Sequence, residues 1–326
     1  MTVSDTHRIP AQSRPLHGDP FDLSDEAAYR AWRARKLACY PTASAALVVR
    51  LDDPAEPSVA ERTAILGRLL RCNMVIYELA EPARASKDMV RALGRQFGLE
   101  RLDSNLYADE DAVSALQVIA EGRRGEYIPY TNQRLSWHTD GYYNPTTRQI
   151  RAIVMHCVSD AARGGESALL DHEVAYILLR DEDPRYVAAL MEPDVMTIPA
   201  NVEGGVELRA AQTGPVFSLD PASASLHMRY SARARNIVWK DGELVAAARE
   251  RLTAILSDER GYVLRHRLRP GQGIICNNVL HNRTGFEDDP QHGHRRLLYR
   301  ARYFDRIRGT ECAQQQVMDW DDALVE

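Results

Sequence analysis

Lysine is scarce in this chain of 326 residues, because only three of its 41 basic side chains are lysines and all the others are arginines. Codon usage is sufficient to explain why most solvent-exposed basic positions carry arginine instead of lysine. A minority are expected where only a planar, permanently charged fork can bind a carboxylate or a phosphate. The 46 acidic residues give a net charge of −5. Nucleic acid is therefore not expected as a partner, because its phosphate backbone attracts proteins with an excess of cations.

Long apolar runs are also missing, since no stretch approaches the roughly 18 consecutive apolar residues of a membrane helix. The first thirty residues are polar and contain prolines, without the apolar segment of a secretory signal. The five cysteines are widely spaced and include no C-x-x-C pair, which argues against a disulfide framework or a zinc finger. We therefore expect a cytoplasmic protein with no membrane partner. The sequence leaves its oligomeric state open, with a homo-oligomer as one option.

The first third of the chain combines helical and strand patterns. Residues 1–20 carry three prolines among polar residues and are expected to form a loose arm. Apolar periodicity predicts helices over 58–71 and 86–97 and short strands over 45–51 and 74–79. A capping box of Ser58 and Glu61 starts the first helix, and Gly98 ends the second. We expect residues 21–112 to be a flank of helices packed around a small sheet.

From about residue 113 the pattern changes to short β-rich runs separated by turn residues. These runs cover 149–158, 166–170, 195–198 and 274–280, and their spacing is typical of a sandwich or barrel. Asp241 is expected to cap one helix that interrupts them. We predict a single domain over residues 21–326 that is mainly β with flanking α-helices. Its β-rich core spans 113–310 and a tail spans 311–326.

The segment containing His138 and Asp140 holds the first candidate metal ligands. Residues i and i+2 of a strand project from the same face, so the two side chains can point into one cavity. Two histidines and one carboxylate form a ligand set that leaves positions on an iron open. An isolated H-x-D pattern more often lies on a surface, but His281 follows a later apolar run and supplies a third ligand. His292 and His294 form an H-x-H pair within a surface-like loop.

A strand predicted over 296–303 would place several arginines on one face. Its other face is apolar and typical of a core, with Leu297, Tyr299, Ala301 and Tyr303. Arg296, Arg300 and Arg302 would repel one another unless anions lie against them. A solvated face of an edge strand is the alternative interpretation. The neighbouring metal motif favours a cavity that binds carboxylates.

Together these motifs resemble the taurine dioxygenase-like family of iron(II)- and 2-oxoglutarate-dependent oxygenases. The resemblance covers about residues 127–305, and its motifs are Tyr130-Thr131, Leu135–Asp140, Arg163–Ser167, Pro270-Gly271, Asn278, His281 and Arg296-x-x-x-Arg300. Within this family the sequence is similar to the gamma-butyrobetaine hydroxylase branch. The C-terminal end of the resembling region is similar to that of glutarate 2-hydroxylase. The resemblance implies a double-stranded β-helix core, a cupin-like jelly roll, with helices packed around it.

The resemblance also implies the contents of the active site. His138, Asp140 and His281 would bind Fe(II) and carry catalysis, and Arg296 with Ser167 would hold the distal carboxylate of 2-oxoglutarate. O2 would be the second cosubstrate. Such an enzyme hydroxylates an aliphatic C–H bond and releases succinate and CO2. The presence of Asp140 favours a hydroxylase over a halogenase, which needs that ligand position for halide.

The substrate is expected to be a small molecule that bears a carboxylate. Tyr130 matches one tyrosine of the trimethylammonium cage in the gamma-butyrobetaine branch, but Arg302 stands where another aromatic residue would be. We therefore expect Arg300 and Arg302, with Tyr130, to contact an anionic substrate, and Tyr142 and Tyr143 either to line the entrance or to pack. The alternatives are a trimethylammonium hydroxylase of the gamma-butyrobetaine type and a non-catalytic jelly roll that binds a metal or ligand.

Overall fold

The computed structural model describes residues 18–104, 112–119, 127–233, 237–258 and 261–312. Most of the expected arm and tail therefore lies outside the described residues. Six α-helices lie within these ranges: α1 Glu26–Ala38, α2 Val59–Cys72, α3 Lys87–Gln96, α4 His172–Glu182, α5 Pro184–Leu190 and α6 Glu243–Ser257. None of them is long and apolar enough to cross a membrane.

The β-strands of the described ranges outnumber the helices, so the chain is mainly β with helices, as predicted. They are β1 Val48–Leu51, β2 Met74–Leu79, β3 Val113–Leu116, β4 Leu135–His138, β5 Ala152–Ser159, β6 Arg163–Gly164, β7 Ser167–Leu170, β8 Met196–Ile198, β9 Asn201–Glu203, β10 Val206–Arg209, β11 Gln212–Gly214, β12 Phe217–Leu219, β13 Leu226–Met228, β14 Val238–Trp239, β15 Leu264–His266, β16 Gln272–Cys276, β17 Leu280–Arg283, β18 Phe286–Glu287 and β19 Leu297–Tyr303.

Six strands form the large sheet in the order β1-β2-β16-β5-β19-β3. Its neighbours are antiparallel except for β1 and β2, which run parallel. Strands from the first third of the chain thus pair with strands from its last quarter. The two strands expected to form a small sheet within residues 21–112 instead pair with each other at one edge of the large sheet.

A second, antiparallel sheet has the order β15-β7-β17-β4. One hydrophobic cluster contains Ile76 and Ile153 of the large sheet together with Leu169 and Leu280 of the second sheet. The inner faces of the two sheets therefore share one core. Side chains that alternate on β5 and β19 point either into this core or to the opposite face of the large sheet.

Helices α2 and α3 cover the outer face of the large sheet. Ile65 and Leu93 of these helices share a second cluster with Val75, Val154 and Tyr303 of the sheet. The predicted capping box of α2 is confirmed, since the Ser58 hydroxyl accepts from the Glu61 N–H and the Glu61 carboxylate accepts from the Ser58 N–H at 2.6 Å. Gly98 follows α3 with a positive φ of 77°, as expected of a stop.

Two local predictions were wrong. The helix predicted to be capped by Asp241 has Gly242 as its N-cap and no side-chain cap. The single strand predicted over 274–280 is two strands, because β16 ends at Cys276 and β17 begins at Leu280. Asn278 between them has a left-handed backbone with φ of 50°. This turn carries the chain from the large sheet to the second sheet.

Candidate metal centre and its surroundings

Two histidines face each other across neighbouring strands of the second sheet. His138 is the last residue of β4 and is the antiparallel register partner of His281 on β17. Their ring centroids are 4.2 Å apart. Antiparallel register brings the side chains of directly opposed residues together, so the sheet itself places these two imidazoles side by side.

Asp140 completes the cluster from the turn after β4, not from the strand as predicted. Its Oδ1 lies 3.5 Å from His138 Nε2 and 3.9 Å from His281 Nε2. One potential ligand atom from each of the three residues lies within 4.8 Å of the others. The predicted convergence of His138, Asp140 and His281 is therefore present in the fold.

Backbone carbonyls fix the protonation pattern of both imidazoles. His138 Nδ1 lies 2.8 Å from the Ser136 carbonyl oxygen, and His281 Nδ1 lies 2.9 Å from that of Val279. Because a carbonyl can only accept, each Nδ1 carries a proton, and Nε2 is the nitrogen that each ring offers to a metal. Burial, followed by the neighbouring His138, lowers the pKa of His281 to about 4. Its imidazole is therefore neutral near pH 7 and able to bind a metal.

The Asp140 carboxyl is buried and anionic. Burial alone would raise its pKa, but Arg300, His138 and His281 hold the pKa well below its usual range. Asp140 Oδ2 accepts no hydrogen bond from the described residues, although Arg300 Nη1 lies 3.2 Å away. Two neutral imidazole nitrogens and one carboxylate are the donor set of non-haem iron sites with open positions. The residues therefore fit such an ion.

Asn278 holds the backbone of Asp140, a contact that sequence reasoning missed. Its Oδ1 accepts from the Asp140 N–H at 2.8 Å, and its Nδ2 donates to the carbonyls of Asp140 at 2.9 Å and Ile150 at 2.6 Å. Asn278 is buried and lies three residues before His281. Asn278 was part of the family resemblance without a role assigned to it, and asparagine tolerates the left-handed backbone found there.

Arg296 lines a cavity of about 10 Å³ together with Gly164, Gly165 and Ser167. Its guanidinium lies 4.9 Å above the Phe286 ring, and burial lowers its pKa to about 10. The group is therefore still charged near pH 7. A buried cation is costly unless an anion or other polar groups compensate it. The guanidinium and the hydroxyl-bearing Ser167 suit a carboxylate, which an arginine fork can bind in bidentate fashion.

The Gly164-Gly165 turn allows the chain to pass close to a neighbouring strand at this cavity. Gly164 has φ of 69°, and a Cβ there would lie 2.2 Å from the Gly285 carbonyl oxygen. A Cβ on Gly165 would lie 3.4 Å from Arg296 Nε. Glycine is the residue that meets both requirements of positive φ and close approach. The turn thus leads directly into Ser167 beside the arginine.

Arg300 and Arg302 occupy the inner face of β19, as predicted, and both are buried. Since β19 lies between β5 and β3, the alternative of a solvated edge strand is wrong. Arg300 contacts Asp140, whereas Arg302 forms an ion pair with Asp103 and donates to the Tyr143 hydroxyl at 2.8 Å. Asp103 was not predicted as part of this region.

The predicted aromatic residues take different places. Tyr130 is buried in the core that the two sheets share, and its carbonyl accepts from Ile119. The Tyr142 ring lies edge-on to His138 with centroids 6.4 Å apart. His292 is exposed and paired with Asp289, in agreement with a surface position for the H-x-H pair.

Comparisons with known proteins agree with this geometry. Residues 45–302 match the sequence model of the family described as taurine catabolism dioxygenase TauD, TfdA family. A uridine-5'-phosphate dioxygenase from Streptomyces sp is 31% identical over 237 residues, which cover 69% of this chain and 81% of that protein. Another from Amycolatopsis sp is 31% identical over 179 residues, which cover 53% of this chain and 62% of that protein.

Solved structures share the fold at low sequence identity. Asparagine oxygenase in complex with Fe(II), 2S,3S-3-hydroxyasparagine and succinate matches with a TM-score of 0.54 and 17% identity, over 79% of this chain and 93% of that one. A taurine dioxygenase from Burkholderia xenovorans matches with a TM-score of 0.53 and 16% identity, over 81% and 89% of the two chains.

Proposed function

The chain belongs to the taurine catabolism dioxygenase TauD, TfdA family, and we propose that it hydroxylates an aliphatic C–H bond of a small anionic molecule. It is an Fe(II)- and 2-oxoglutarate-dependent dioxygenase, with O2 as the second cosubstrate. The convergence of His138, Asp140 and His281 in one buried cluster carries the proposal. We also propose that the two packed sheets form the double-stranded β-helix of a jelly roll.

Each contact that the cofactor and cosubstrate require is assigned to a residue in this proposal. The two Nε2 atoms and the Asp140 carboxylate hold the iron, and the Nδ1 bonds to backbone carbonyls keep both imidazoles in the binding tautomer. Arg296 and Ser167 hold the distal carboxylate of 2-oxoglutarate. When bound, iron with 2-oxoglutarate and O2 supplies the oxidising power for C–H cleavage, and the cosubstrate leaves as succinate and CO2.

The substrate side is the inner face of β19 in this proposal. A metal on Asp140 would share the charge of that carboxylate, which leaves Arg300 available to an anion in the site. Arg302 is paired with Asp103 and donates to the Tyr143 hydroxyl, and Tyr130 is buried in the core that the two sheets share. A trimethylammonium substrate is disfavoured, because the released Arg300 guanidinium would repel a cation in the site.

A nucleoside 5'-phosphate is a second, more specific candidate. The observation that favours it is the 31% identity to two uridine-5'-phosphate dioxygenases. A phosphate monoester is an anion like a carboxylate, so the same arginines suit it. Uridine 5'-phosphate therefore belongs in the substrate panel beside dicarboxylates, amino acids, sulfonates and betaines.

The cofactor assignment is tested by anaerobic addition of Fe(II) and 2-oxoglutarate. The wild-type protein should develop a visible charge-transfer band, which His138→Ala and Asp140→Ala should lack while they keep the wild-type circular dichroism spectrum. His292→Ala is the matched control, because this exposed histidine pairs with Asp289. A wild-type band in either of the first two variants would refute the assignment.

The substrate class is tested by succinate release across the panel. Carboxylates or phosphate esters should stimulate release well above the rate without a substrate, and the C–H bond attacked is then read from the product. Stimulation by cationic betaines alone would contradict an anionic substrate.

The cytoplasmic location of the protein stays a prediction from the sequence, with a homo-oligomer as one option for its assembly.

A further inference from the structure

The arginines of β19 are largely neutralised within the protein. Arg302 is buried against Asp103, and Arg300 lies against Asp140. A carboxylate next to a guanidinium cancels most of its field at a distance. A metal on Asp140 would release Arg300 alone, so a second positive charge for a substrate anion would come from outside this strand.

Arg209, at the end of β10, offers such a charge. Its Nη2 donates to the Pro199 carbonyl at 2.7 Å and its Nη1 to the Ala210 carbonyl at 3.1 Å. Neither acceptor carries a negative charge, so these bonds orient the guanidinium without neutralising it. The Glu203 carboxylate, on the paired strand β9, accepts a hydrogen bond from the Tyr127 hydroxyl at 3.5 Å. Arg209 is half-buried and therefore open to a ligand.

A line of aromatic rings connects Arg209 to the metal centre. The Arg209 guanidinium carbon lies 5.8 Å from the centre of the Tyr143 ring. The Tyr143 and Tyr142 rings are 5.2 Å apart, and the Tyr142 ring is 6.4 Å from that of His138. The Tyr142 and Tyr143 rings are nearly perpendicular, at 78° to each other, and Arg209 lies at the end of this run of rings that is farther from His138.

Arg229 holds the backbone of Tyr142 in place. It is fully buried and donates to the Tyr142 carbonyl at 2.8 Å, and also to the carbonyls of Met196, Gln212 and Gly214. Burial lowers its pKa to about 10, so it stays charged near pH 7. These four acceptors are uncharged carbonyls, so the region holds a second guanidinium whose charge they do not cancel. Two such charges favour a dianion over a monoanion.

We propose that Arg209 binds the anionic group of the substrate and that Tyr142 and Tyr143 form the wall against which its ring lies. The ligand class is a phosphate monoester that carries a flat ring. The inference rests on the proposed function, because it names the substrate of the same site. Arg209 supplies the fork for two phosphate oxygens, and the tyrosine rings, set edge-on to each other, supply apolar surface against which a ring can pack.

Binding without turnover tests this site. Uridine 5'-phosphate, ribose 5-phosphate and uridine are titrated calorimetrically, without oxygen, into protein that holds Mn(II) and 2-oxoglutarate. Wild-type protein should bind uridine 5'-phosphate at least tenfold more tightly than either fragment, because each fragment lacks one half of the ligand. Arg209→Gln should lower the affinity for uridine 5'-phosphate to that for uridine and leave the affinity for uridine unchanged.

Two further variants separate charge from structure. Arg209→Lys keeps the charge without the fork and should retain an intermediate affinity. Arg185→Gln, which removes an exposed arginine paired with Asp183 on another part of the surface, should bind as wild type. An equal loss for uridine and uridine 5'-phosphate in Arg209→Gln, no loss for either, or no binding of uridine 5'-phosphate by wild-type protein would overturn the proposal.

Succinate release is measured on the same samples with Fe(II) and O2. Arg209-dependent binding of uridine 5'-phosphate without succinate release would support the anion site and contradict the proposed hydroxylation of that ligand. Succinate release that is equal in wild type and Arg209→Gln at low substrate concentration would leave the oxygenase function intact and refute the role of Arg209.

Discussion

Single side chains hold the metal cluster together at the residue scale. The buried amide of Asn278 makes three hydrogen bonds to backbone groups, and two of them involve Asp140. The same residue lies in the turn between β16 and β17, just before His281. Asn278 therefore couples the position of the carboxylate to that of one histidine, although it touches neither side chain.

Replacement of Asn278 should weaken metal binding more than it weakens the fold. Asn278→Gly keeps a residue suited to φ of 50° but removes the amide. Loss of such supporting contacts typically costs about 10–100-fold in metal affinity. We expect an increase of about tenfold or more in the Fe(II) dissociation constant, measured anaerobically through the charge-transfer band with 2-oxoglutarate present.

Asn278→Ala is the comparison variant, because it loses the amide and also strains the backbone. It should match Asn278→Gly in metal affinity and be less stable by about 1 kcal/mol, the cost of the left-handed conformation for a residue with a Cβ. Wild-type metal affinity in the glycine variant would show that the amide does not position Asp140.

Arg296 allows a similar test of shape against charge. Arg296→Lys preserves the cation at the small cavity but loses the planar fork. The dissociation constant for 2-oxoglutarate should rise by about tenfold or more, measured by titration of the charge-transfer band. The neighbouring exposed Arg295 provides the control, since Arg295→Lys should bind the cosubstrate as wild type does.

The strands β5 and β19 show at the element scale what alternation could and could not predict. The faces of β19 were predicted from the period of two, and Ala301 and Tyr303 do pack beneath the helices. The sequence of β19 alone could not predict that Arg300 and Arg302 are buried beside carboxylates, because their partners Asp140 and Asp103 are distant in sequence. Alternation specifies a face, whereas the chemistry of that face depends on the neighbouring elements.

His156 at the centre of β5 makes the stability of the large sheet depend on pH. Its Nδ1 lies 3.0 Å from the Tyr77 hydroxyl, its Nε2 has no hydrogen-bond partner among the described residues, and burial lowers its pKa to about 4. Unfolded histidine has a pKa of about 6.5. The stabilisation from the neutral, buried ring is therefore complete above pH 6.5 and is lost as the pH falls towards 4.

Between pH 7 and pH 5 this single histidine should reduce the free energy of unfolding by about 2 kcal/mol. Urea unfolding of wild type and His156→Gln at both pH values measures the effect, since glutamine cannot take up the proton. The variant should lose less stability than wild type over that interval. Equal losses in the two proteins would show that His156 is not the responsible group.

A buried ion-pair cluster joins distant parts of the chain at the scale of the whole molecule. Lys36 of α1 lies 2.7 Å from Asp171 Oδ2 and 2.5 Å from Glu173 Oε2. All three side chains are at most 2% exposed. One of only three lysines in the chain thus holds the N-terminal helix against the start of α4.

Lys36→Met should be strongly destabilising because it leaves two carboxylates buried without their cation. Removal of one partner from a buried ion pair typically costs about 3–5 kcal/mol, which urea unfolding at pH 7 would measure. Lys240 pairs with Glu192 and Asp194 but is 41% exposed, so Lys240→Met should cost at most about 1 kcal/mol. Similar losses in the two variants would contradict a special role for the buried cluster.

The sequence predicted the elements of the molecule better than their arrangement. The capping box of α2 is present because it rests on a short local pattern, whereas the convergence of His138, Asp140 and His281 was expected from the order of motifs along the chain and from the family resemblance. The membership of β1 and β2 in the large sheet was missed, because pairing with β16 joins residues about two hundred positions apart. No local periodicity specifies such a partner.

The pairing of β2 with β16 also determines the order in which strands can pair while the chain is being synthesised. β2 cannot complete its hydrogen bonds until β16 has left the ribosome. β5 cannot complete its own until both β16 and β19 have done so. Contacts between distant segments form slowly because long loops must close first. His138 of β4 likewise meets His281 only after β17 has been synthesised. A nascent chain would therefore have to extend beyond β17 before it could retain iron, and earlier fragments would expose unpaired strand edges that favour aggregation.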